Sequence, residues 1–248
     1  MQQRINRKIL DFEDDYDVTV VLASHFSSEG FGYPDRNQKP EVFFIYAYEA
    51  EKYLSVTNPD IEETFNFEFE DIWFFGLELR YALRLLVESD FHLYKGVRSS
   101  IFYRNLWDIS TSFLQLFLHS LDCVKFYNSG ISNMREIKGP LLKNEPLDLR
   151  VFLDDLHIYL MTTYYPNCGR LPPGDIFSLV ESIKEVSYKE RLKILTETLA
   201  EYGSIPYYPD ELDASFVNHL SSGVWHVEVH SPKLPVGVNE LFLEVLGI

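Results

Sequence analysis

The 248 residues carry 38 acidic against 22 basic side chains, a formal charge of −16. A surface of that sign repels phosphate backbones and argues against broad non-specific nucleic-acid binding. No apolar run reaches the roughly eighteen residues that a membrane span needs, and length alone allows one large domain or two small ones.

The first residues, MQQRINRKILDFEDDYD, hold basic side chains but no apolar core segment, so they do not read as a signal peptide. Asp15-Tyr16-Asp17-Val18 reads as an acidic loop ahead of the first strand. Residues 17–23, DVTVVLA, are short and β-branched, a buried strand. The Gly/Pro/polar stretch Ser27–Pro40 is a loop. Residues 41–48, EVFFIYAY, give a second strand, followed by a helical turn near Glu49–Leu54. Over 61–74, Ile61, Phe65, Phe67 and Phe69 alternate with Glu62, Asn66, Glu68 and Glu70, which predicts one half-buried strand. Leu79, Leu83 and Leu86 then place a helix over Gly76–Val87.

Beyond this point the pattern is mainly helical: 105–127, 147–164, Gly174–Glu185, Lys189–Tyr202 and Asn239–Leu246, with one further strand at Val224–Val229. Strands first and helices after predict an α+β protein, a small mixed sheet followed by a mainly helical part. The seam falls near residue 100, giving a sheet domain over 1–100 and a helical domain over 101–248. Cys123 and Cys168 lie far apart without metal-ligand spacing and read as reduced thiols of a cytoplasmic protein.

Three segments in order carry a resemblance. Gly30-Phe31-Gly32-Tyr33-Pro34-Asp35 precedes Glu41-Val42-Phe43-Phe44-Ile45-Tyr46. Gly76-Leu77-Glu78-Leu79-Arg80-Tyr81-Ala82-Leu83 precedes Ser99-Ser100-Ile101-Phe102-Tyr103. Arg150 to Tyr165 precedes Gly169, Pro172-Pro173 and Phe177. In this order the segments resemble the predicted nucleotidyltransferases of the DNA polymerase beta superfamily, a group encoded by bacteria and their phages. The resemblance implies a nucleotidyltransferase-type sheet and a site that joins a nucleotide to an acceptor hydroxyl.

Such chemistry needs two divalent metals clamping the attacking and leaving oxygens. It therefore needs two carboxylates one residue apart on a strand, facing the same side, and a third from a neighbouring strand. A Gly-Ser turn brings amides and a hydroxyl to the triphosphate, and basic side chains neutralise it. Matched position by position, the chain departs from this pattern. The Gly-Ser turn falls on His25-Phe26 and the following Arg on Ser27. The Asp-x-Asp pair falls on Lys39-Pro40-Glu41 after an insertion, and the later Arg falls on Phe43. A Lys-Lys pair becomes Arg150-Val151, Asp154-Asp155 is gained, and another Arg becomes His157.

If activity survives, the resemblance assigns catalysis to Glu41, Asp35 and Asp71, metal binding (Mg2+) to Glu41 and Asp71, and the approach of the nucleotide to Gly30 and Gly32. Glu68 and Glu70 are alternatives for the third carboxylate. Asp15 and Asp17 imitate the family's paired acids, but no Gly-Ser turn precedes them. His226 and His230 lie four apart on a predicted strand and turn, where they do not share a face as they would on a helix. No P-loop, Gly-x-Ser-x-Gly or Gly-x-Gly-x-x-Gly motif occurs. Trp73-Phe74-Phe75 reads as core, and Tyr207-Tyr208-Pro209 as an exposed contact patch.

Two expectations follow. The first is a catalytically degenerate pseudoenzyme, acting without a cofactor by docking its acidic surface on a basic protein partner or by occupying a nucleic-acid site. The second is an active, divergent, metal-dependent transferase acting on an RNA, nucleotide or protein acceptor.

Overall fold

A computed structural model describes residues 1–55, 61–132, 146–181, 186–211, 213 and 237–248, with Pro166 and Asn167 described for backbone only. The chain divides into two compact units. A sheet unit comprises Met1–Ser27, Lys39–Leu121 and Ser231–Ile248, and a helical unit comprises Ser28–Gln38 and Asp122–His230. The expected strand at Val224–Val229, with His226 and His230, lies outside the described residues.

The sheet unit opens with helix α1 (Gln2–Tyr16). Ile5, Ile9 and Phe12 recur at helical spacing and are buried, while the rest of the helix is mostly polar, with Leu10 and Tyr16 exposed. It ends at Asp17, whose φ of 53° is left-handed. Asp15-Tyr16-Asp17 is thus a helix terminus and its cap rather than a loop.

Strands β1 (Val18–His25) and β2 (Glu41–Tyr48) are antiparallel neighbours. A short helix α2 (Ala50–Leu54) leads toward the hairpin of β3 (Thr64–Phe69) and β4 (Ile72–Glu78), and β4 lies parallel to β2. Helices α3 (Leu79–Val87) and α4 (Phe91–Val97) come next. Edge strand β5 (Phe102–Asn105) then pairs antiparallel to β1, followed by α5 (Ile109–Ser120). The order in the sheet is β3-β4-β2-β1-β5.

The stretch expected as one strand over 61–74 is a hairpin. Glu70 and Asp71, with φ of 46° and 64°, form its two-residue turn. Alternation continues on both sides of such a turn, and no Asn or Gly marks it, so periodicity alone misses the reversal. Gly76 to Glu78, expected to open the helix, belong to β4, and Glu78 caps α3 with its carboxylate on the amides of Arg80 and Tyr81. β5 was not expected. The long segment 105–127 breaks at Leu121–Asp122 into α5 and α6 (Cys123–Ile131), the latter in the helical unit.

Both faces of β2 are filled by aromatic rings. On one, Val42, Phe44, Tyr46 and Tyr48 join α1 and the β3–β4 hairpin in a single cluster. Phe12 there meets Phe44 edge-on at 5.0 Å and stacks with Phe67 at 5.7 Å. The rings set two glycines: a Cβ on Gly76 would lie 2.2 Å from Phe44 and one on Gly96 would lie 2.4 Å from Phe43. The last helix, α10 (Val238–Leu246), belongs to this unit and sets Phe242 against Tyr53 at 5.1 Å.

The helical unit holds the short pair β6 (Leu147–Asp148) and β7 (Pro206–Tyr207) with helices α7 (Leu149–Cys168), α8 (Ile176–Glu181) and α9 (Val186–Tyr202). Phe152, Leu153, Leu156 and Leu160 of α7, Leu179 of α8 and Leu195 and Leu199 of α9 supply its buried apolar residues. No helix among the described residues is long and apolar enough to cross a membrane.

Candidate functional site

The ends of β1 and β2 carry residues that the resemblance assigns to the catalytic positions. β1 runs out at His25, which is 1% exposed. Its ring bridges two hydroxyls, with Nε2 2.5 Å from Ser27 Oγ and Nδ1 2.6 Å from Tyr103 Oη. In the neutral imidazole one ring nitrogen donates and the other accepts, which suits one hydroxyl on each side. The backbone here is also committed. The His25 amide donates to the Ile101 carbonyl at 2.9 Å and the Phe26 amide to the Glu41 carbonyl at 2.7 Å. Ser99 Oγ donates to the His25 carbonyl at 2.7 Å, and Ser24 Oγ to that of Gly96. Sequence reasoning found no role for His25, Ser27 or Tyr103, because residues 78 positions apart meet only once β5 is placed beside β1.

Glu41 begins β2 and pairs in register with Trp73 of β4. Lys39, just before it, is exposed, and its ammonium lies 2.9 Å from Glu68 Oε1 and 3.1 Å from Asp71 Oδ1. Hydrogen bonds to Glu68 and Asp71 hold the Lys39 pKa above its ordinary value. Asp71 sits in the hairpin turn with its side chain 82% exposed. Glu70 faces the other way in function, pairing with Arg4 of α1 at 2.6 Å. Trp73, Phe74 and Phe75, expected as core, alternate as a strand must: Phe74 is buried, Phe75 half-buried and Trp73 exposed.

A carboxylate that periodicity passed over is Glu78, 1% exposed at the end of β4. Besides capping α3 it accepts a hydrogen bond from Tyr53 Oη at 2.5 Å. Burial, then the Glu78 charge, raises the Tyr53 pKa well above the usual phenol range. The usual N-cap residues are Ser, Thr, Asp and Asn, so a glutamate before the helix gave no sequence signal of this cap.

Asp35, Gly30 and Gly32 lie in the helical unit. Gly30 is buried in a 3-10 turn, Ser28–Phe31, and Gly32 takes a left-handed φ of 89°. Asp35 has a fully buried side chain. Its Oδ1 accepts from the Asn37 amide at 2.8 Å, whereas Oδ2 has no hydrogen-bond partner among the described residues and faces Arg150 Nη1 at 3.8 Å.

Arg150, Asp154 and His157 recur at four and three residues, one stripe of α7. His157 is fully buried; its Nε2–H donates to the Gly174 carbonyl at 2.7 Å. Tyr33 donates its one hydroxyl hydrogen to Asp154 Oδ1 at 3.1 Å, and His157 Nδ1 lies 3.3 Å from the same Tyr33 Oη. Two of the positions where the resemblance expects cations are thus bound into a polar network with the loop that carries Tyr33 and Asp35. Tyr207, expected as exposed, is half-buried against Arg191 and Asp213, while Tyr208 is exposed.

The chain matches, over residues 1–236, the family described as RlaP, RNA repair pathway DNA polymerase beta family. The chain belongs to that family. It is therefore a nucleotidyltransferase-like member of the DNA polymerase beta superfamily, and the mixed sheet followed by helices agrees with this. The chain is also similar to the uncharacterized protein YcgL of Bacillus subtilis (strain 168), 26% identical over 206 residues that cover 81% of this chain and 76% of that one.

The two-metal chemistry of such folds sets a test for these side chains. Within each unit, among the described residues, no three His, Cys, Asp or Glu side chains gather as a metal would require. Two residues before Glu41, the Lys39 ammonium is already shared by the Glu68 and Asp71 carboxylates. Among the described residues, side chains so arranged do not fit a magnesium centre.

Proposed function

We propose that this family member acts by binding, as a catalytically degenerate nucleotidyltransferase fold. The observation that carries the reading is Lys39: a lysine stands where the first of the paired metal-binding acids is needed, and Glu68 and Asp71 hold it there at 2.9 and 3.1 Å. Coulomb repulsion between that ammonium and a divalent cation opposes metal binding at Glu41. The committed amides of His25 and Phe26 support the same reading, since they are not free to cradle a phosphate. The net charge of −16 supports a basic protein partner, or occupation of a site meant for nucleic acid. The family's description, an RNA repair pathway, supports a basic, RNA-handling protein as that partner. The test is capture of such a protein on the immobilised chain at low and high salt. Binding is expected at low salt and is lost at high salt; a surface that captures nothing at low salt overturns it.

The second reading, an active divergent transferase, is favoured by the family match over 1–236. It would use Glu41, Asp35 and Asp71 with Mg2+ on an RNA, nucleotide or protein acceptor. Incubation with labelled nucleoside triphosphates, magnesium or manganese and each acceptor decides between the two. Degeneracy predicts no transfer above the heat-inactivated protein, and metal-dependent labelling that disappears in E41Q establishes the second reading.

A further inference from the structure

The sheet unit contains a cavity of about 630 Å³ between α3 and α10. This lies within the range of about 300–1,000 Å³ usual for small-molecule sites. It is distinct from the candidate site, since Glu41, Asp71 and His25 take no part in its walls. Leu83, Leu85, Val87, Val238 and Phe242 give it an apolar lining. Its polar side is unusual for so acidic a chain: Arg80 and Arg84 both line it, against Glu88 alone.

Arg80 and Arg84 are four apart on α3, so both heads leave the same side of the helix. Neither is strongly committed. Arg80 rests on the Tyr53 ring at 5.4 Å and has no ion pair among the described residues. Arg84 pairs with Glu63, but the two side chains are 55% and 49% exposed. An ion pair so exposed contributes little and exchanges partners readily. An apolar chamber with two available guanidinium groups on one side matches a molecule with an apolar chain and an anionic head. The chain removes apolar surface from water, and the head takes charge-assisted hydrogen bonds from arginine.

We propose that this cavity binds a single-chain amphiphilic carboxylate, of the fatty-acid class, with its chain between α3 and α10 and its head at Arg80 and Arg84. The charge at the rim selects the ligand. An alkyl alcohol lacks the anion, and an alkyl ammonium meets two like charges.

The experiment titrates the full chain with a dansyl-labelled undecanoate below its micelle concentration, then displaces it with dodecanoate, dodecanol or dodecyltrimethylammonium. Saturable binding at one site is expected, with dodecanoate displacing best and the ammonium worst. R80A/R84A weakens dodecanoate by about tenfold or more, as loss of charge-assisted bonds requires, and leaves dodecanol unchanged. V87W fills the chamber from a half-buried position and abolishes both; circular dichroism and thermal melting verify that each variant is folded. No saturable binding by the folded wild type, or binding that survives a folded V87W, overturns the site. Equal affinities for dodecanoate and dodecanol, unchanged in R80A/R84A, overturn the head-group assignment. Displacement by an apolar peptide but not by dodecanoate overturns the ligand class.

Discussion

Phe12 and Phe44 in the sheet unit, and His157 and Asp213 in the helical unit, fix their neighbours by opposite physics. The rings are held by shape: Phe44 meets Phe12, Tyr46, Phe67 and Phe74, and leaves Gly76 no room for a side chain. The polar groups are held by pairing. Asp213, 1% exposed, receives Arg191 Nε at 3.0 Å, Arg191 Nη2 at 2.9 Å and the Tyr207 hydroxyl. Dense aromatic packing tolerates no added atom, whereas a buried polar network tolerates no missing partner. The sheet unit should thus be most sensitive to volume and the helical unit to deletion of charge.

Two substitutions test that contrast directly, and they carry the largest effects. Asp213→Ala leaves the partly exposed Arg191 guanidinium with Asp210 in place of its bidentate partner and should cost about 3 kcal/mol, the low end for breaking a buried pair. Urea unfolding measures it, and a cost below about 1 kcal/mol would break the comparison. Gly76→Ala adds one carbon against the Phe44 ring and should cost about 3 kcal/mol. In the double variant G76A/F44L the two changes should cost less than the sum of the single ones, because the smaller side chain frees the space; strict additivity would place the strain elsewhere.

A smaller effect sharpens the sheet side. Burial lowers the pKa of His92, against the pull of Asp90 and with help from Lys95. The folded pKa lies below the unfolded value of about 6.5, so the unfolded chain binds more protons in between. Stability from neutral His92 is present above about pH 6.5 and is lost as pH falls through that value toward the folded pKa. H92Q should flatten this part of the stability-versus-pH curve, read from melting temperatures between pH 7 and 5 against the wild type. An unchanged slope would remove His92 from the account.

The smallest effect concerns Lys39. Its partners are exposed, so K39A should change stability by no more than about 0.5 kcal/mol. K39D, which restores an acid beside Glu41, should raise the chain's affinity for manganese, measured by calorimetry. A null result in K39D would mean that the obstacle lies in other residues as well.

Much of the fold was legible because strand and helix periods differ. β2 was expected at the observed bounds 41–48, and Leu149, Phe152, Leu153 and Leu156 pointed to the long helix α7. The misses were local. Glu70 and Asp71 make a tight turn without Gly or Asn, the helix α1 carries its apolar residues thinly among charges, and β5 is only four residues long. Of the candidate site, the substitutions Lys39, His25 and Phe26 were readable as residues. Their partners were not.

The sequence by itself determined which chemical groups stand at the positions that the resemblance assigns to catalysis, and the bounds of the strand β2 that Glu41 opens, because both are properties of local spacing. Only the tertiary structure decided what those groups do. It brings Tyr103 to His25, Glu68 and Asp71 to Lys39, and Tyr33 to His157. Each of these contacts joins residues at least 29 positions apart in the chain. Hydrogen bonds and ion pairs act over a few ångströms, and no spacing rule along the sequence reports which distant segments come that close.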